Sequence, residues 1–358
     1  MIPMRTVLST LSPTPPAVTA SPDRERSGMG RRRLLTLAGA LAASGCMSMG
    51  TPPGPGLEAA RMEQNAFTMP DGARLPYRAW LPEDRPQAVV LALHGFNDSR
   101  DAWEMPAPYF AASGIALYSP DQRGFGQAPD RGLWPGTDRL VADAAEMARQ
   151  VRAMHPGVPL VLMGESMGAA VLMVLATGPL APADARYLLI APAVWGRARM
   201  NLFLRSGLWL VVSLMPGLAM SRGPVQIMAS DNHEALVRLT RDPLTIKRTR
   251  MDALGGLVDL MDAALAAAPR FRAPSLFQYG GKDELVPKAA TAFTWQALPR
   301  GSADGPRLAY YPNGYHLLLR DLGRVVPIGD AIAWIRDPAA PLPSGAEHAA
   351  AQWLEAQS

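Results

Sequence analysis

Leu160-Val161-Leu162-Met163-Gly164-Glu165-Ser166-Met167-Gly168-Ala169-Ala170 is the stretch that decides how this chain folds. The apolar run Leu160–Met163 reads as a short buried strand, and Met167 to Thr177 has the length and spacing of a helix. Between them stands G-x-S-x-G, a strand-to-helix turn so tight that its outer positions tolerate no side chain, hence Gly164 and Gly168. A serine in that turn is thrust out at the C-terminal end of the strand. There the N-terminus of the next helix favours developing negative charge. Ser166 is therefore the candidate nucleophile.

Outward from this turn the same rhythm repeats. Ala88–Leu93, Ile115–Tyr118, Tyr187–Ile190, Leu276–Tyr279 and Leu308–Tyr311 are short apolar runs bounded by Pro, Gly or Asp. Helix-length amphipathic stretches lie between most of them, among them Asp138 to His155 and Met167 to Thr177. Buried strands alternating with helices predict an α/β fold, a mostly parallel sheet flanked by helices. Ala66 to Trp80 adds β-prone pieces around the turn Pro70-Asp71-Gly72. No internal repeat is present. Between Ala191 and Ser275 the rhythm fails for about eighty residues, far beyond what a crossover needs. Met200 to Met220 in this interval is an apolar tract interrupted by Arg205 and Pro216, too short to span a membrane. An inserted lid over the active edge of the sheet is the expectation; the alternative is an apolar face that only packs on the main domain. The resulting division is a first core part at 66–194, a lid insertion at 195–252, a second core part at 253–337 and a C-terminal tail at 338–358.

A serine hydroxyl needs a base. Of the five histidines, His94 closes an early strand, His155 precedes a proline, His233 lies in the insertion and His348 in an Ala-rich stretch. His316 follows the last strand on a loop able to reach the sheet edge, and the chain order nucleophile, acid, histidine suits it. The acid belongs on the loop Gly280-Gly281-Lys282-Asp283-Glu284; Asp283, shorter and just past the glycines, is chosen, with Glu284 as the alternative. The oxyanion needs two N–H donors. Met167, after the nucleophile, supplies one. Phe96, in His94-Gly95-Phe96-Asn97-Asp98, supplies the other, with His94 bracing that loop. The glycines of Asp121-Gln122-Arg123-Gly124-Phe125-Gly126 form a structural turn, because no P-loop lysine or dinucleotide fingerprint accompanies them. No cluster has metal-ligand spacing, and no metal or other cofactor is expected.

The 358 residues carry a net charge of +4. Residues 1–45 hold Arg5, Arg24, Arg26, Arg31, Arg32 and Arg33 against Asp23 and Glu25, which accounts for the whole excess. The remainder is neutral, so nucleic acid is not an expected partner. One cysteine, Cys46, rules out an intrachain disulfide. It closes a basic cluster, an apolar run of roughly half the ~20 residues a span requires, and the small residues Ala43-Ser44-Gly45. These are the parts of an export signal, so residues 1–46 read as a leader and the Pro/Gly-rich 47–65 as a tether. Met29 is an alternative start.

With those residues in place the chain resembles the monoacylglycerol lipase and lysophospholipase branch of the α/β-hydrolases, from about Phe67 to about Ile335. The motifs that carry the likeness are His94-Gly95-Phe96, Asp121–Gly126, Gly164–Gly168, Arg241-Asp242-Pro243-Leu244, Gly280-Gly281-Lys282-Asp283 with Val286-Pro287, and Gly314-Tyr315-His316. The resemblance implies hydrolysis of lipid esters through an acyl-enzyme without a cofactor. Asn97 stands where many relatives have glycine. Ala43-Ser44-Gly45-Cys46 resembles a bacterial lipobox, with Ala43 in place of the usual leucine, and Arg31–Leu35 resembles a twin-arginine signal. That likeness implies lipidation at Cys46 and an exported protein anchored to the membrane of a bacterial cell envelope. The lid is a candidate second membrane contact, and the alternative is a cytoplasmic protein whose leader is no signal. Other readings of the whole are a peptidase using the same triad and a non-catalytic lipid-binding or scaffold protein of the same fold.

Overall fold

The structure, a computed structural model, describes residues 56–221, 227–299 and 305–357. The leader, Cys46 and the first part of the tether lie outside the described residues.

The chain opens with the strands β1 (Arg61–Met62), β2 (Ala66–Thr68) and β3 (Arg74–Trp80), which pair antiparallel in sequence. Then follow β4 (Ala88–Leu93), α1 (Ala107–Ala112), β5 (Ile115–Pro120), α2 (Thr137–Met154), β6 (Leu160–Glu165), α3 (Met167–Thr177) and β7 (Arg186–Ile190). The insertion carries α4 (Leu202–Leu214), β8 (Ala219–Ser221), α5 (His233–Arg241) and β9 (Arg248–Arg250). The chain then forms α6 (Met251–Ala267), β10 (Ser275–Gly280), α7 (Lys288–Ala297), β11 (Pro306–Tyr311), α8 (Val325–Arg336) and α9 (Ala346–Glu355). The main sheet has nine strands in the order β1-β2-β3-β5-β4-β6-β7-β10-β11. From β5 to β11 all neighbours run parallel, and β3 meets β5 antiparallel.

Every residue of β4, β5, β6 and β10 is buried, which is why these strands read as unbroken apolar runs rather than alternating ones. Crossover helices on both faces cause this. α3 differs from its sequence reading. Met167 to Met173 are all buried, because α3 is packed between α2 and α6, so it is apolar all round and not amphipathic.

The insertion has two unlike halves. α4 begins with Asn201 as its cap, the side chain accepting from Leu204 N–H at 2.8 Å. None of its residues is buried, and Phe203 is 91% exposed. One side rests on α6, where Val212 closes over Gly255. The second half, residues 227–250, is laced to the core by the hydrogen bonds described below. The lid expected over 195–252 is therefore not one uniform flap.

The stretch 338–358 differs from its reading as a tail. α9 packs on β11, and Trp353 stacks on Tyr310 with ring centroids 4.8 Å apart and planes 9° from parallel. Glu347 holds Arg307 with two bonds, Nε to Oε1 at 2.8 Å and Nη2 to Oε2 at 2.6 Å. Alanines on one face allow that close approach. Among the described residues, no helix is long and apolar enough to cross a membrane.

Candidate active site

Ser166 sits between β6 and α3 with φ 54° and ψ −111°, a region that L-residues avoid. The surroundings impose this backbone. Ser166 N–H donates to Ile190 carbonyl at 2.9 Å, and the Ser166 carbonyl accepts from Ala193 and Ala170, each at 3.0 Å. A Cβ on Gly164 would lie 2.6 Å from Ala169 N, and one on Gly168 would lie 2.3 Å from Leu93 O. The elbow therefore needs both glycines, for lack of room. Among the described residues the Ser166 hydroxyl makes no hydrogen bond.

His316 lies on the loop after β11 and is 3% exposed. Its Nδ1 donates to Asp283 Oδ2 at 2.7 Å. Asp283 is held from behind: its Oδ1 accepts from Leu285 N–H at 2.7 Å and Val286 N–H at 2.9 Å. With Nδ1 protonated and bound to the carboxylate, neutral His316 presents Nε2 as an acceptor. Burial disfavours the imidazolium, but the charge and hydrogen bond of Asp283 outweigh it and Glu165 adds to them. The pKa of His316 is accordingly raised. Glu284, the alternative acid, instead accepts from Met228 N–H at 2.8 Å. The acid and histidine loops come together because Gly280 has no side chain: a Cβ there would lie 2.5 Å from the carbonyls of Gly314 and Tyr315.

On the loop after β4, His94 is wholly buried. Its Nδ1 donates to Gly95 carbonyl at 2.8 Å and its Nε2 accepts from Gln122 N–H at 3.1 Å. Burial lowers its pKa, and a ring with one nitrogen donating and the other accepting is neutral. His94 thus braces the loop against the turn Asp121–Gly126, as its position suggested. Neither Phe96 N–H nor Met167 N–H donates to another protein group among the described residues. The Phe96 ring is half-buried, edge-on to Phe125 at 5.7 Å.

Asn97 has φ 63°, in the left-handed region that glycine occupies without strain and asparagine tolerates best among side-chain-bearing residues. Its Nδ2 donates to Thr249 Oγ1 at 2.6 Å, and its carbonyl accepts from Ile246 N–H at 2.9 Å.

These bonds begin a series that the sequence reading missed. Ser99 Oγ donates to Asp242 of the Arg241-Asp242-Pro243-Leu244 motif at 2.9 Å. On the far side, Leu317 N–H donates to Ala229 carbonyl at 2.9 Å, Ser230 Oγ to Asp321 at 2.6 Å, and Asn232 Nδ2 to Arg320 carbonyl at 2.8 Å. Residues 227–250 therefore form a bracket joining the loops after β4, β10 and β11. Asp321, which Ser230 of this bracket binds, is pushed up to about 6 by burial. Also missed were Glu165, Asp98 and Arg320, all buried, with Arg320 bound to both carboxylates. Glu165 and Arg320 stand against apolar runs, as in Leu317-Leu318-Leu319-Arg320, which points to burial but not to the partners, and Asp98 in Asn97-Asp98-Ser99-Arg100 carries no such mark. Among the described residues no group of three or more His, Cys, Asp or Glu is placed to hold a metal ion.

Residues 84–323 match the family described as serine aminopeptidase, S33. The chain is 27% identical over 289 residues to a monoacylglycerol lipase of Mycolicibacterium smegmatis, covering 76% of this chain and 96% of that protein. It is 23% identical over 260 residues to the monoglyceride lipase of Homo sapiens, covering 71% and 84%. Among solved structures, a soluble variant of Saccharomyces cerevisiae monoglyceride lipase superposes with a TM-score of 0.65 at 17% identity, covering 82% of this chain and all of that one. Paleococcus ferrophilus monoacylglycerol lipase gives a TM-score of 0.61 at 19% identity, covering 73% and 98%. The expected fold, a mostly parallel sheet flanked by helices, is thereby shown to be that of the α/β-hydrolases.

Proposed function

The chain belongs to the serine aminopeptidase S33 family of α/β-hydrolases, and from that premise we propose that it cleaves carboxylic esters of lipids through an acyl-enzyme, as a monoacylglycerol lipase- or lysophospholipase-like enzyme. The observation that carries this is the 2.7 Å bond from His316 Nδ1 to Asp283, on loops brought to the sheet edge where Ser166 stands in its strained elbow. The lipid ester as substrate is supported by the monoacylglycerol lipase relative of comparable length.

In this reading Nε2 of His316 takes the Ser166 proton as Oγ attacks the ester carbonyl. The N–H groups of Phe96 and Met167 receive the oxyanion, which an N–H with no partner among the described residues is free to do. His316 then returns the proton to the leaving alcohol, and water repeats the sequence on the acyl-enzyme. Asp283 holds the tautomer and offsets the imidazolium charge.

We also propose that the protein is exported and tethered to the membrane through lipidated Cys46. The support is sequence alone: the arginine cluster, the short apolar run and the small residues before the cysteine.

The test is a fluorophosphonate probe with a substrate panel. Labelling of the parent that vanishes in Ser166→Ala establishes the nucleophile. Turnover of acylglycerols or lysophospholipids above aminoacyl p-nitroanilides establishes the ester. Preference for the anilides favours the peptidase that the family's description names. Folded protein that never labels favours a non-catalytic binder.

A further inference from the structure

Three loops must keep register for this chemistry, and one buried side chain touches all of them. Arg320 ends the short 3₁₀ turn Leu318–Arg320, just beyond His316, and is 5% exposed. Its Nη1 donates at 2.9 Å to Asp98 Oδ2, on the loop that carries Phe96. Its Nη2 donates to Glu165, the residue immediately before the nucleophile. Asp98 is held in turn by Ser99 N–H at 2.9 Å, and the Arg320 carbonyl by Asn232 Nδ2 at 2.8 Å.

A buried ion group adds little net stability, because desolvation cancels most of its attraction. Its value is geometric. A guanidinium fork is planar and rigid, so two carboxylates bound to it are fixed relative to each other. Burial raises the pKa of Glu165, and the charge of Arg320 opposes that rise; with both carboxylates ionised, one cation between two anions leaves a net negative charge among the groups around His316.

We propose that Arg320 is a positioning residue of the active site: its guanidinium ties the oxyanion loop and the nucleophile elbow to the histidine loop, and the net charge of the Asp98–Arg320–Glu165 group favours the proton's transfer from Ser166 to His316. The inference rests on the hydrolase reading. Arg320 touches no reacting atom. The charged groups acting on the imidazole are Asp283 and Glu165, which favour its protonation, and Arg320, which opposes it.

The experiment measures kcat and KM per fluorophosphonate-titrated site, across pH, on full-length Arg320→Met, Arg320→Lys and Glu165→Gln. Arg320→Met is expected to lose roughly 100-fold in kcat with KM little changed, the cost of a misplaced constellation. Arg320→Lys should fall between, since an ammonium cannot bridge both carboxylates. Glu165→Gln keeps the shape but removes a negative charge. It should move the acid limb of kcat/KM to lower pH, because the imidazolium gives up its proton more readily.

A merely structural Arg320 would lower Tm while leaving kcat per labelled site and the acid limb unmoved, and that result overturns the proposal. Should Arg320→Met fail to fold, an unmoved acid limb in Glu165→Gln overturns it equally. A parent that neither labels nor turns over any ester sinks the hydrolase reading and this inference together. A competent parent with unaffected variants sinks the inference alone.

Discussion

Asp283 and Glu284 are adjacent carboxylates on one loop with different tasks. Asp283 accepts from two backbone N–H groups on one oxygen and from His316 on the other, whereas Glu284 reaches the opposite way to Met228. Asp283→Asn is therefore expected to cost roughly 10⁴-fold in kcat by disturbing the tautomer, while Glu284→Gln changes it little. Since the base must be neutral and the pKa of His316 is raised, kcat/KM should climb with pH through a midpoint above that of free imidazole. In Asp283→Asn that midpoint should fall, because the carboxylate no longer stabilises the imidazolium; a pH–rate profile reads both. Asn97 makes a separate case. Its positive φ is tolerable for asparagine and strained for alanine, and the Thr249 bond is lost in either replacement. Asn97→Ala should lower stability by about 1–2 kcal/mol more than Asn97→Gly, measured by urea unfolding.

Among the elements, α9 departs furthest from its sequence reading. Its alanines give no strong apolar stripe, but Trp353 stacks on Tyr310 and meets Trp295 edge-on at 5.4 Å. Trp353→Ala should cost about 3–5 kcal/mol, as other buried aromatic truncations do. Deleting residues 338–358 should leave an unstable or insoluble protein; a free tail would be dispensable, and thermal unfolding separates the two. The insertion divides on the same physical ground. Residues 227–250 are held by polar bonds to three loops, whereas α4 rests one face on α6.

For the molecule as a whole, the proposed anchor is a matter of chain chemistry outside the described residues. Cys46→Ser is expected to shift the protein from the membrane to the soluble fraction on cell fractionation. Unchanged membrane association would point instead to the exposed apolar residues of α4, among them Phe203 and Trp209.

The strand–turn–helix around Ser166 and the six core strands were legible in the residues, and the proposed order Ser166, Asp283, His316 was read from them, because each rests on local steric or periodic rules. Fully buried strands must be apolar, a tight elbow must have glycine, and a loop after the last strand can deliver a histidine. The bond that ties Asp283 to His316 while Glu284 turns to Met228, the Asp98–Arg320–Glu165 group, the bracket at 227–250 and the packing of α9 were decided only in three dimensions. Each depends on partners distant in sequence, and a charge or an alanine gives no local sign of what it will meet. A carboxylate looks the same in a chain whether it ends against water, an arginine or an imidazole.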